Sequence, residues 1–303
     1  MANDLIIGAA SNYTWEHLKY WVTSIRKTGY QGDVVLVATN IKRETLEKLA
    51  EYNVDFFLYG KKDENGDYVS ETGSAPHVER FFYIWNFLKT TKKRYDFVIA
   101  TDTRDVIFQT NPTEWYDDCL LSGNRRQQLI VASEGIRFSD EPWNNRNIYE
   151  TFGPFFHQQM ADNLVYNVGV IAGEHKYICD LMLMIFQMSI NRPIPIVDQA
   201  VFNFLIQTEL YKSCTSFTNN DDAWAAQLGV TYEAVAAGAG DIGLSIVNDP
   251  SKMILYQAMY QDIQPRLTED GLVVNHNGTP FVIVHQYDRT SAWTNKIIER
   301  LES

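Results

Sequence analysis

The chain predicts an α/β fold built on a doubly wound, mainly parallel sheet flanked by helices, and three observations carry that prediction. Short apolar runs alternate with segments of helical period along the first hundred or so residues. One of those runs, Phe97-Val98-Ile99-Ala100, is continuous and uncharged, as a central parallel strand covered on both faces would be. The 303 residues, 45% hydrophobic and 21% charged, are enough to bury a full core. No proline- or serine-rich linker divides them, so a single domain over 1–303 is expected.

The elements follow in order. Leu5 to Ala9 is a short apolar strand, and Trp15, Leu18, Trp21, Val22 and Ile25 recur at helical spacing until Gly29 and Gly32 stop the helix. Val34 to Ala38 is a second strand, Glu44 to Tyr52 a polar-faced helix and Val54 to Tyr59 a third strand. The stretch from Gly60 to Gly73 reads as a loop, and Val78 to Leu88 as a helix with Phe82, Trp85 and Leu88 on its apolar face. After the strand ending at Ala100, Asn111-Pro112 opens a helix with proline in its first turn. Leu129 to Ala132 is a buried strand, Val165 to Ala172 a strand broken by Gly169, and Tyr177 to Met188 a strongly apolar helix. Gln199 to Leu210 is a helix that Asp198 is placed to cap. Ala234 to Gly243, rich in alanine and glycine, reads as a flexible loop or loosely packed turn. Phe281 to Val284 is a last apolar strand ending in His285, and Trp293 to Leu301 a terminal helix.

Composition excludes several classes. A net charge of -12 argues against a nucleic-acid partner, since affinity for a polyanion comes chiefly from basic residues. Cys119, Cys179 and Cys214 are odd in number and widely spaced, which indicates neither a disulfide framework nor a zinc cluster. Met1 to Asp4 lead into Leu5-Ile6-Ile7-Gly8, too short a run for a signal-peptide core, and no run of about eighteen apolar residues follows. A cytoplasmic protein without a membrane span is expected, which makes the sequons at Asn12 and Asn277 chance occurrences.

The informative stretch is Thr101-Asp102-Thr103-Arg104-Asp105-Val106-Ile107-Phe108. In an open α/β sheet, ligands bind outside the carboxyl ends of the strands, where Asp102 and Asp105 would stand. Two carboxylates there can hold Mg²⁺ or Mn²⁺, ions that usually sit on one or two protein carboxylates and fill other positions with substrate phosphates. Taken alone, the pair has a plainer reading: Asp102 caps a turn and Asp105 pairs with Arg104 or another base.

With its surroundings, this stretch resembles the DxD region of GT-A type glycosyltransferases, in the nucleotide-diphospho-sugar transferase superfamily. The likeness is closest at Asp105-Val106-Ile107-Phe108, although two residues separate the aspartates here instead of one. Asp105 aligns with the metal-binding second aspartate, while Asp102 goes to either the metal or the ribose. Ile7-Gly8-Ala9-Ala10-Ser11-Asn12-Tyr13 resembles the first strand and loop that receive uracil and ribose, which makes Ala9, Ala10, Asn12 and Tyr13 nucleotide contacts. Arg80 resembles the basic residue directed at the donor diphosphate; by itself it would be a surface arginine. Tyr166-Asn167-Val168-Gly169-Val170-Ile171-Ala172-Gly173 resembles an N-x-G strand in which Asn167 and bare backbone approach the sugar, the alternative being a bulge at Gly169. Val197-Asp198-Gln199-Ala200 resembles the D-Q motif of the glycogenin-like and lipopolysaccharide-galactosyltransferase families, which makes Asp198 and Gln199 the catalytic pair. Val282-Ile283-Val284-His285-Gln286-Tyr287-Asp288-Arg289 places His285 where such enzymes supply a third metal ligand. His276, in a turn-like setting, is the second candidate.

The resemblance implies an enzyme moving a sugar from a nucleotide-diphosphate donor, by family habit a UDP-sugar, to a saccharide or other hydroxyl acceptor. Residues 1–110 would form the nucleotide half and 111–303 the sugar and acceptor half. Mn²⁺ or Mg²⁺ on Asp105, His285 and Asp102 would let an acidic protein bind an anionic donor through one local cation. The D-Q likeness favours retention of anomeric configuration, with no dedicated base. An inverting enzyme would need one, and Glu134 or Asp140, in the loop expected after Ala132, are the candidates. Trp143, Phe155, Phe156, Trp224 and Tyr232 are candidate stacking surfaces for an acceptor. Gly8 to Tyr13 lacks both the basic glycine-rich loop of a sugar nucleotidyltransferase and the G-x-G-x-x-G turn of a dehydrogenase. The non-enzymatic alternative is a nucleotide-sugar-binding protein without turnover.

Overall fold

Strand β1 (Leu5–Ser11) sends alternate side chains to different places: Leu5 and Ile7 join one buried cluster, Ile6 and Ala10 another. That division by period two is what a strand covered on both faces requires. The structure, a computed structural model, describes residues 3–64, 68–69, 71–117, 128–192, 194 and 196–303.

After β1 come α1 (Trp15–Lys27), β2 (Asp33–Thr39), α2 (Arg43–Ala50), β3 (Val54–Leu58), the short β4 (Lys61–Lys62) and β5 (Tyr68–Val69), and α3 (Pro76–Thr90). The next elements are β6 (Val98–Thr101), β7 (Val106–Phe108), α4 (Pro112–Tyr116), β8 (Leu129–Arg137), α5 (Pro142–Met160), β9 (Leu164–Gly173), α6 (His175–Ser189) and α7 (Asp198–Gln207). The chain ends with β10 (Thr215–Thr218), β11 (Ala225–Gln227), α8 (Tyr232–Ala236), α9 (Gly240–Asn248), α10 (Lys252–Met259), β12 (Arg266–Leu267), β13 (Val273–Val274), β14 (Ile283–His285) and α11 (Ser291–Glu302).

The main sheet has seven strands in the order β10-β8-β9-β6-β1-β2-β3. Its pairs are parallel except for β9, which runs antiparallel to both β6 and β8. Helices α3, α6 and α7 cover one face, with Phe81, Ile84, Leu181, Ile185, Val201 and Phe202 packed on Val35, Val98 and Val131. Helix α1 covers part of the other through Leu18, Trp21, Val22 and Ile25. A second sheet, β11-β14-β7, stands beside the first, so β6 and β7, close in sequence, belong to different sheets. The expected doubly wound, mainly parallel α/β architecture is therefore present.

Some expectations need correction. The strand through Gly169 is unbroken; instead its pairing with β8 slips, β9 advancing five residues from Ile171 to Tyr166 while β8 advances two from Val131 to Ser133. Ala234 to Gly243 is largely helical: α8 and α9 pack together, with Gly238 at positive φ between them and Gly240, also at positive φ, opening α9. Alanine favours helix, so only the glycines mark the turn. Asp198 does not cap α7. Val197 occupies that position and Asp198 is the first helical residue, its carboxylate turned to an arginine. Glu134 lies within β8 and not in a loop, because that strand runs on to Arg137. Part of the loop from Gly60 to Gly73 forms the antiparallel β4/β5 pair. Cys179 and Cys214 are free thiols; Cys119 lies outside the described residues. Among the described residues, no helix is long and apolar enough to cross a membrane.

Candidate active site

The acidic turn exists because the chain must leave one sheet and enter another. Thr101 ends β6 and Val106 begins β7, so Asp102 to Asp105 bridge the two sheets at the carboxyl end of β6. The turn is fastened on all sides. Trp21 Nε1 donates to Thr101 Oγ1 at 3.0 Å and Thr103 Oγ1 donates to the Ala9 carbonyl at 3.2 Å. The Asp102 N–H donates to the Gly169 carbonyl at 2.8 Å, and the Gln286 N–H to the Asp105 carbonyl at 2.7 Å. Antiparallel pairing of β14 with β7 sets His285 opposite Val106 and so carries the imidazole to Asp105.

Asp102, Asp105 and His285 each offer a ligand atom, and these atoms lie within 4.8 Å of one another. His285 Nε2 is 3.5 Å from Asp102 Oδ2 and 3.7 Å from Asp105 Oδ1. Its Nδ1 lies 2.7 Å from Gln227 Oε1 on β11. A carbonyl oxygen can only accept, so Nδ1 donates to it and Nε2 is the nitrogen turned to the two carboxylates. Three ligand atoms converging on one point fit a divalent cation, which could take the place of the proton that the two carboxylates otherwise favour on Nε2, and the oxygen–nitrogen set suits Mn²⁺ or Mg²⁺. Gly169 leaves room for the ring, since a Cβ there would collide with it.

Arg80, on α3, joins two of the predicted residues. One guanidinium amino group pairs with Asp102 Oδ1 and the other lies 3.2 Å from Asp198 Oδ2. Burial pushes the Asp102 carboxyl up, but Arg80 and then His285 more than offset this and hold it well below the usual carboxylate range. At Asp198 burial prevails over Arg80 and the pKa is raised. Burial pushes the His285 imidazole down, yet Asp105 and Asp102 outweigh it and raise its pKa. Asp105 also meets Arg289, at 3.2 Å, and Arg104, at 3.7 Å. The plainer expectation that Asp105 pairs with a base thus holds alongside its place in the three-ligand group.

Asn167 and Gln199 stand behind the carboxylates. Asn167 Nδ2 donates to Glu134 Oε1 at 2.7 Å, and Gln199 Nε2 donates to the same oxygen at 3.1 Å and to Asn144 Oδ1 at 2.9 Å. Burial first, then Glu141, raise the Glu134 carboxyl to about 7 against the bonds it accepts.

A cleft of about 500 Å³ brings together Ala9, Ala10, Asn12, Tyr13, Arg80, Asp102, Asp105, Asn167, Asp198, Gln199 and His285, a size suited to a small-molecule ligand. Other candidates lie elsewhere. His276 pairs with Asp221 at 2.9 Å and, like Asp140 and Glu134, does not line the cleft. Of the five aromatic candidates only Trp143 lines it; Trp224 is wholly buried against Trp115 and Phe97, and Phe155 is exposed on α5. Sequence reasoning assigned no role to Arg289 or to Gln227. Arg289, four residues beyond His285, was within reach of a motif reading; Gln227 was not, because only the β11/β14 pairing brings it to His285.

No family model matches the chain, and no curated protein matches it by sequence. Solved structures do match, and they place the chain in the class of GT-A type glycosyltransferase folds. It is similar to the galactosyltransferase LgtC in complex with donor and acceptor sugar analogues, at 14% identity over 97% of this chain and 95% of that one, with a TM-score of 0.55. A second LgtC structure, of an active-site mutant with a glutamine changed to glutamate, matches at 15% identity over 93% and 86%, with a TM-score of 0.53. GlyE of Streptococcus pneumoniae TIGR4, a glycosyltransferase, matches at 13% identity over 100% of this chain and 62% of that one, with a TM-score of 0.52.

Proposed function

We propose that this chain is a divalent-metal-dependent glycosyltransferase that moves a sugar from a UDP-sugar to a saccharide or other hydroxyl acceptor. The observation that carries the reading is the convergence of Asp102, Asp105 and His285 in one cleft with the β1 loop, on a GT-A fold. Asp105, His285 and Asp102 would hold Mn²⁺ or Mg²⁺, with Asn12, Tyr13, Ala9 and Ala10 around the base and ribose. The cation supplies stabilisation of the charge that develops on the diphosphate as the sugar leaves.

The chain's own residues do the rest. Arg80 keeps Asp102 ionised and anchors Asp198, and Arg104 and Arg289 add positive charge beside Asp105. Asp198 and Asn167 orient the donor sugar, and Gln199 faces its reacting carbon. LgtC's active-site glutamine supports that place for Gln199. The reaction retains anomeric configuration: Glu134 is buried away from the cleft, which weighs against it as the base an inverting enzyme needs. Residues 1–303 act as one catalytic domain in the cytoplasm, with the nucleotide over 1–110.

A panel of nucleotide sugars with Mn²⁺, read first by thermal shift and then by turnover, tests this, since a ligand of the native state raises apparent stability. A selective, chelator-sensitive shift followed by sugar transfer is expected. Binding without turnover of any bound donor would leave a nucleotide-sugar-binding protein. No shift with any member would overturn the reading.

A further inference from the structure

Glu134 has no part in the scheme above, yet it is a buried carboxyl bonded to two residues that line the cleft. It is 4% exposed, and a single oxygen, Oε1, accepts from both Asn167 Nδ2 and Gln199 Nε2. At their other ends the two amides accept from adjacent positions of β9's backbone: the Gly169 N–H donates to Asn167 Oδ1 at 2.8 Å and the Val168 N–H to Gln199 Oε1 at 3.3 Å. A backbone N–H can only donate and a carboxylate can only accept. Each amide is therefore gripped from both ends in a way that permits one orientation, and a flip would set donor against donor and acceptor against acceptor.

We infer that Glu134 is a positioning residue: its carboxylate fixes which end of the Asn167 and Gln199 amides the donor sugar meets. Both amide hydrogens of Gln199 are committed, to Glu134 and to Asn144 Oδ1, so what Gln199 offers the sugar is the remaining lone pair of its carbonyl oxygen. This deepens, and rests on, the glycosyl-transfer reading.

The device has a proton dependence. Burial and then Glu141, the residue that caps α5, push the Glu134 carboxyl up to about 7, opposed by the amides and by His285 on β14. Tyr256 and Tyr260 also face it and stay neutral, burial pushing both phenols up. Protonated, the carboxyl gains a donor and an amide oxygen can turn toward it; ionised, it cannot be approached that way.

The test is Glu134→Gln, near-isosteric but able to donate, in the full chain. The side-chain NH₂ resonances of Asn167 and Gln199, assigned through Asn167→Asp and Gln199→Glu, are followed by NMR through pH about 7. In wild type both sets are expected to move together with that titration, and in Glu134→Gln neither should. Turnover of the donor selected by the panel should fall about 10- to 100-fold with little change in KM, a cost usual for losing a group that orients a site residue. Mn²⁺–UDP binding should persist. Amide resonances that ignore pH in wild type, or that titrate alike in the variant, overturn the inference, as does unchanged turnover. Should Glu134→Gln not fold, the wild-type titration decides. If wild type binds no nucleotide sugar, the functional reading fails, whereas the resonances still decide the role of Glu134.

Discussion

His285 Nδ1 lies 2.7 Å from Gln227 Oε1, and that contact decides which ring nitrogen is available to a cation. Both residues are 2% exposed, so water does not substitute for the amide. Gln227→Leu should lower Mn²⁺ affinity about 10- to 100-fold while the fold persists, the usual effect of removing the partner that orients a metal-binding histidine. Calorimetric titration with Mn²⁺ measures it, and undiminished affinity would detach Gln227 from the metal site.

Direct ligands should matter more. Asp105→Ala and His285→Ala are each expected to abolish Mn²⁺-dependent nucleotide binding without unfolding the chain. Full activity of both variants in excess chelator would sink the metal assignment.

Gly169 is required for room, since a Cβ there would strike the His285 ring. Gly169→Ala should cost about 1 to 3 kcal/mol through overpacking and should weaken Mn²⁺ binding through the displaced imidazole. Denaturant midpoints and Mn²⁺ titrations report the two effects separately, and a loss of stability with metal affinity intact would show that the ring had moved aside harmlessly.

Arg80 compensates two acids at once. Arg80→Ala should destabilise by about 3 kcal/mol, towards the lower end for a broken buried pair because Asp102 is 28% exposed. Arg80→Lys should recover only part of this, since one ammonium lacks the fork that reaches both Asp102 and Asp198. Equal stability of Arg80→Ala and wild type would show that the two acids need no partner.

Glu134 makes a prediction of stability against pH. Its folded pKa, about 7, is raised above the ordinary 4.5, so between those values the native state holds a proton that the unfolded chain has released. Stability must then fall as pH rises through that window, by at most about 1.4 kcal/mol per pH unit for one proton. In Glu134→Gln that contribution should vanish, so the wild-type minus variant difference in denaturation free energy should slope only there. A flat difference would mean that Glu134 is not held neutral by the fold.

Much of this molecule was legible from residue order. The β-α alternation, the buried runs at β1, β2 and β6, the acidic turn and the D-Q helix start are local patterns of period and residue type, and local patterns survive without knowledge of the fold. The same locality explains the errors. Asp198 at a helix start reads as a cap because Arg80, 118 residues away, cannot be seen beside it. Ala234 to Gly243 reads as a loop because glycine marks turns, whereas Val235 closes a small core with Ile136, Ile246 and Tyr256. Trp224 reads as a stacking surface until the packing of Trp115 and Phe97 buries it.

What the sequence by itself determined was the set of chemical groups and the fold able to gather them: two carboxylates after a central strand, a histidine after a late one, and amides on a strand and a helix between. What only the tertiary structure decided was who meets whom. The register of β14 on β7 brings His285 to Asp105, the pairing of β11 with β14 supplies Gln227, and the antiparallel course of β9 sets Asn167 and Gly169 against Glu134 and the imidazole. Each of these contacts joins residues distant along the chain, and strand register is fixed by burial of whole faces and not by the residues that happen to touch at the site.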